Sequence, residues 1–186
     1  GDFIVTEEVA HGGKRCLKGY EATELSKPFY PYLTYRMAGK AITSGTVHLS
    51  LAAMNSREAP AQVSIEIRDY ANSGAKEFLS GPTLFLRNNG EIATADKVLG
   101  RVANGEWVKI DIDMKVGPDA PKTCTVTLTG PDGVPKTATV PYIHTDFAAA
   151  SWFGIVSNGQ APCAFYIDDL LLTVQPAAAE WRLANR

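Results

Sequence analysis

The sequence is short of almost every signature that announces a chemistry. Its 186 residues hold only three cysteines, Cys16, Cys124 and Cys163, far apart and without a C-x-x-C. That spacing argues against a zinc site and allows at most one disulfide, with one thiol left over. The three histidines, His11, His48 and His144, stand isolated. No G-x-S-x-G and no recognisable Cys–His pair occurs. No apolar run approaches the ~20 residues of a spanning helix, so no membrane partner is expected. The 18 Lys and Arg are scattered against 20 Asp and Glu, for a net charge of −2. Nucleic-acid binding needs a concentrated basic surface, and none is visible. A repeat of fixed period is also missing, which excludes a propeller or solenoid.

What is there is alternation. Gly81 to Gly117 reads as an apolar run, a turn at Asn88-Asn89-Gly90, a second run, and a return strand from Trp107. In that return strand Ile110, Ile112, Met114 and Val116 take one face and Lys109, Asp111, Asp113 and Lys115 the other. Thr46 to Met54, Gln62 to Tyr70 and Thr123 to Thr129 alternate in the same way. Cys124 alternates with Val126 and Leu128 and reads as a small buried apolar residue. Further strands are expected at 1–5, 14–20, 137–140, 152–156 and 164–174. Pro28 to Tyr35, aromatic and broken by proline, suits an edge strand. About ten to twelve short strands with turn signals between them predict an all-β, two-sheet antiparallel β-sandwich. One domain over 1–175 is expected, with 176–186 as a tail or linker of helical propensity.

The order of motifs carries a resemblance. HGGKRCL near the start, the R-D-Y strand end, GPTLFLRNNGEI, W-V-K-I-D-I, T-V-T-L-T and the closing FYIDDLLL follow one another along nearly the whole chain. This succession resembles the concanavalin A-like (laminin-G or glucanase-type) jelly roll. Domains of that kind are appended to bacterial polysaccharide-degrading enzymes. A galactose-binding-like jelly roll is the alternative, since it too ends in an Ile-Asp-Asp strand. The resemblance implies a carbohydrate-related role and a secreted, periplasmic or cell-surface location. A chain that opens on Gly1 reads as a piece of a longer protein, with a catalytic domain as its expected neighbour.

Glucanase-type jelly rolls place catalytic acids at alternate positions of one strand. Only Asp111 and Asp113 have that spacing, and they sit between Lys109 and Lys115, which favours cross-strand ion pairs over acid chemistry. Glu66 and Asp69, three apart, fall on opposite faces. Sugar binding needs flat aromatic faces and planar polar groups. If Thr46–Met54, Gln62–Tyr70 and Thr83–Asn88 are neighbours in one sheet, its outer face carries His48, Glu66, Arg68, Tyr70, Phe85 and Arg87. Trp152, Tyr30, Tyr32 and Tyr35 are further stacking candidates, whereas Trp107 reads as core. Arginines there suit the carboxylate or sulfate of an acidic glycan. Strict alternation along the last strand turns one of Asp168 and Asp169 inward, where it needs N–H donors or a cation. A structural calcium ion at Asp168 and Asp169 is therefore an expectation, with Glu7, Glu8 and carbonyls near Gly12 and Gly13 as co-ligands if the first and last strands adjoin. The leading functional expectation is a non-catalytic carbohydrate-binding module for a polysaccharide or oligosaccharide. A lyase or glycosidase, using groups such as His48, Arg68, Tyr70 and Arg87, and a spacer without ligand are the alternatives.

Overall fold

The computed structural model describes residues 1–21, 29–37, 40–158 and 162–176. Among them thirteen strands form and no helix does. They are β1 (Asp2–Thr6), β2 (Cys16–Glu21), β3 (Tyr32–Arg36), β4 (Gly45–Asn55), β5 (Val63–Asp69), β6 (Leu79–Leu86) and β7 (Glu91–Ala93). Then come β8 (Val98–Arg101), β9 (Val108–Val116), β10 (Thr123–Thr129), β11 (Pro135–Pro141), β12 (Trp152–Ser157) and β13 (Cys163–Gln175). The helical tail expected from 176 onward lies, apart from Pro176, outside the described residues.

Two antiparallel sheets result. One has seven strands in the order β1-β2-β13-β4-β9-β10-β11, the other six in the order β3-β12-β5-β6-β7-β8. The apolar half of each alternating strand fills the space between them. Val47, Leu49 and Leu51, Ile110, Ile112 and Met114 join one buried cluster with Val63, Ile65, Ile67, Leu84 and Ile155. Cys124 and Cys163 are buried there as free thiols, and burial pushes them up to about 12 and about 11. The Asn88–Gly90 turn forms as expected: Gly90 has a φ of 80° and its N–H donates to the Arg87 carbonyl.

Three expectations need correction. First, β4 belongs to the seven-stranded sheet, paired with β13 and β9, while β5 and β6 pair in the other sheet. His48 thus points outward from the opposite side of the sandwich from Glu66. Alternation tells inside from outside but not one sheet from the other. Second, β2 lies between β1 and β13, so the first and last strands do not adjoin. Third, Trp107 is outside the main core. It is half-buried on the outer face of the seven-stranded sheet, against a small cluster of Cys16, Met54 and Tyr166.

A buried carboxylate locks the end of this scaffold. Asp69, fully buried, accepts the backbone N–H groups of Ala71, Asn72, Ala148 and Ala149 and the amide of Asn72. It ties the loop after β5 to the loop before β12, and so fixes Tyr70 and Trp152 relative to each other.

Candidate sugar-binding groove

Three strands of the six-stranded sheet build the site through their cross-strand register. Outward residues line up in rows: Arg36, Trp152 and Arg68 in one, Thr34, Gly154 and Glu66 in the next, Tyr32, Val156 and Ser64 in the third. Above them lies a groove of about 560 Å³. Phe29 and Tyr32 wall one end, Tyr70 and Phe78 the other, and Arg36, Glu77 and Asn158 contribute to its lining.

Gly154 shapes the floor. A methyl group there would come within 1.9 Å of the Trp152 ring, so the indole lies across the bare glycine backbone. The Arg68 guanidinium sits 4.3 Å from the Trp152 ring centre and 3.9 Å from that of Phe78. Such contacts are worth about 0.5–2 kcal/mol each, more as water is excluded. Arg68 Nε donates to Glu66 Oε2 at 2.8 Å, and Nη2 lies 2.7 Å from the same oxygen. Ser64 Oγ donates to Glu66 Oε1 at 2.6 Å and accepts from Asn158 Nδ2 at 3.0 Å. Arg68 Nη1 approaches the Tyr70 hydroxyl at 3.4 Å. The floor is therefore a closed polar chain in which the acid and the cation satisfy each other.

Aromatic surface stays open around that floor. Tyr32 is 44% and Tyr70 41% exposed, while Trp152, covered by Arg68 and seated on Gly154, is only 6% exposed. Tyr30 stacks on Tyr32 with ring centres 5.3 Å apart, and Phe29 leans on both. Tyr70 is steadied by Phe78 and by its own N–H donating to Ser151 Oγ.

Of the residues expected to act together, Glu66, Arg68, Tyr70 and Trp152 converge here. Phe85 is on the same outer face, opposite Ser64, but outside the groove lining. Arg87 is claimed by its own hairpin: Nη1 donates to Glu91 Oε2 at 2.9 Å, and Arg101 takes the other oxygen. Tyr35 shares the inward side of β3 with Leu33, which packs on the core, so it turns away from the groove. Arg36 and Phe78 were not singled out from sequence. Arg36 was legible as the third outward position of YLTYR; nothing marked Phe78.

His48 serves another network. Its Nδ1 lies 2.8 Å from Asp113 and its Nε2 3.8 Å from Asp111, which also pairs with Lys109 at 3.2 Å. Asp111 thus pairs with Lys109 along its own strand, and Asp113 meets His48 across strands.

The Asp168–Asp169 pair departs from alternation. A bulge interrupts β13 between Asp168 and Leu171, and Asp169 adopts a φ of 50°, so neither carboxylate enters the core. Asp168 Oδ2 accepts the N–H groups of His11 and Gly12, and Oδ1 that of Asp169. Burial raises the Asp168 carboxyl, but these N–H bonds outweigh it and hold it below the ordinary aspartate value. Asp169 bonds His11 Nδ1 at 2.7 Å. Glu7 is paired with Arg15, and Glu8 with Lys18 and the Tyr166 hydroxyl. Among the described residues no three acids, histidines or thiols gather as metal ligands. The inward demand that alternation placed on this pair is met at Asp168 by N–H donors.

No protein-family model and no curated protein matches the sequence. Solved structures do match in shape. An endo-β-1,4-glucuronan lyase from the fungus Trichoderma reesei superposes with a TM-score of 0.64 at 11% identity, covering 94% of this chain and 87% of that one. A PL-14 alginate lyase from Aplysia kurodai gives 0.62 at 9% identity, over 93% and 87%. The catalytic domain of a glycoside hydrolase family 131 protein from Coprinopsis cinerea gives 0.54 at 12%, over 90% and 73%. The fold is a concanavalin A-like jelly roll. At such identities the likeness speaks for that jelly roll alone, and the chemistry has to be argued from the groove.

Proposed function

We propose that this jelly roll binds a polysaccharide along the groove of its six-stranded sheet and does not turn it over. The observation that carries the reading is the division of labour in the groove. Glu66 has both oxygens occupied by Arg68 and Ser64, while Tyr32 and Tyr70, each packed against other rings on one side, keep part of their surface exposed at opposite ends. Sugar rings stack on such faces through their C–H edges. The three structural neighbours, two polysaccharide lyases and a glycoside hydrolase, support a polysaccharide partner. Affinity in the micromolar to millimolar range, about −4 to −8 kcal/mol, is what such an open site delivers. In a secreted protein with a neighbouring catalytic domain, binding would raise the local substrate concentration. The test is affinity electrophoresis of the chain in gels cast with different glycans, beside an assay for new reducing or unsaturated ends. Retardation without new ends is the expected result; no retardation in any glycan overturns it.

One observation favours a catalytic second reading. The Tyr70 hydroxyl lies next to a guanidinium, Arg68 Nη1, an arrangement in which a phenol can exchange a proton with substrate. That reading requires turnover of a polyuronate that Tyr70→Phe abolishes.

A further inference from the structure

The groove does not end at Tyr70. Its far wall, formed by Arg36, Tyr70 and Trp152, is shared with a second cavity of about 360 Å³. Met37, Ala41 and Ala71 give that cavity apolar or small walls, and Lys40 stands beside it. Among the described residues no carboxylate lines it, in contrast to the main groove with Glu66 and Glu77. Arg36 and Lys40 are exposed, and neither forms an ion pair with a described residue. Arg68, beside it, and the arginines of the distant β6–β8 hairpin, Arg87 and Arg101, are all paired with glutamates. The Ser151 hydroxyl is already used, accepting from Tyr70 N–H and donating to the Arg68 carbonyl. The charged side chains at this cavity, Arg36 and Lys40, can only donate. The matching group accepts only and carries negative charge.

We infer that the second cavity is an anion subsite. On this inference, which rests on the groove reading, the polysaccharide is acidic: one sugar stacks on Tyr70 while its carboxylate or sulfate enters between Arg36 and Lys40. Because the aromatic pair Phe29 and Tyr32 lies at the opposite end, the arrangement also gives the bound chain a direction. Carboxylate and sulfate share the chemistry the cavity selects, and the probes separate them.

The test is calorimetric titration of the whole chain with three probes on one backbone: a β-1,4-linked oligoglucuronate, its carboxyl-reduced neutral form, and a sulfated version of that neutral form. At low salt one or both charged probes bind at least tenfold more tightly than the neutral one, and added salt closes the gap. The probe with the larger gap identifies the anion. The double variant Arg36→Gln/Lys40→Gln, at two exposed positions, abolishes the gap with an unchanged melting temperature. Tyr32→Ala weakens all probes alike and keeps the gap. Equal binding of charged and neutral probes, or a gap that survives the double variant, overturns the anion subsite while the groove stands. Failure of every probe to bind overturns the anion subsite on this backbone, and the groove reading falls with it only if no glycan retards the chain in the gels.

Discussion

The outer faces of the two sheets are built from the same alternating pattern and do different things. On the seven-stranded sheet, His48, Asp113, Asp111 and Lys109 lie side by side on β4 and β9 and bond one another across a threonine-rich surface. On the six-stranded sheet, Glu66 and Arg68 also pair, but the pair lies beneath a groove because aromatic residues rise on both sides of it. Pairing of charges is common to both faces and so carries no functional information. What separates them is relief: Phe29, Tyr32, Tyr70 and Phe78 wall a trough, and Gly154 lowers its floor. A polar sheet face becomes a candidate site when bulky side chains flank small ones in adjacent rows.

The contrast can be broken most severely at Asp69. Asp69→Ala leaves buried N–H donors unsatisfied and releases the two loops that set Tyr70 and Trp152, for a loss of about 3 kcal/mol. Asp113→Ala, on the other face, removes an exposed pair worth under ~1 kcal/mol. Urea denaturation of the two variants should reproduce that order; equal losses would remove the clasp from the account.

Gly154→Ala comes next. The added methyl collides with the Trp152 ring, and overpacking of this kind costs about 1–3 kcal/mol. Trp152 must lift, so glycan retardation should fall along with the melting temperature. A variant of wild-type stability and binding would show that the glycine floor is incidental.

The smallest expected effect is on the acid limb. Lys18, donating to its carboxylate, holds Glu8 below the ordinary glutamate value, and Asp168 is likewise held low. A carboxylate depressed in the folded state stabilises above its unfolded pKa of ~4 and loses that contribution as pH falls through the lower folded value. Stability should therefore be level near neutral pH and decline below about pH 4. Asp168→Asn should flatten part of that decline. A decline that sets in well above pH 5 would contradict this assignment.

Much of this was legible beforehand. The alternation of β9 and β10 assigned inward and outward residues correctly, because each strand has one dry face and one wet one. Glu66, Arg68 and Tyr70 were legible as one cluster because neighbours at i and i+2 share a face whatever the sheet does. His48 was grouped with them wrongly, since sheet membership depends on pairing with β13, more than a hundred residues away. Asp168 and Asp169 escaped because a bulge breaks the period of two on which the reading depends. Arg36 and Lys40 gained meaning only when β3 was seen to pair with β12 and bring them beside Tyr70.

The central claim is that ligand binding belongs to the groove face and not to its twin. Glycan-affinity electrophoresis of Tyr70→Ala and His48→Ala, each checked for an unchanged melting temperature, compares the two faces directly. Tyr70→Ala should weaken binding about tenfold or more, or ~1.4 kcal/mol, with His48→Ala indistinguishable from wild type. Loss of binding in His48→Ala with Tyr70→Ala unaffected would place the ligand on the seven-stranded sheet and contradict the account.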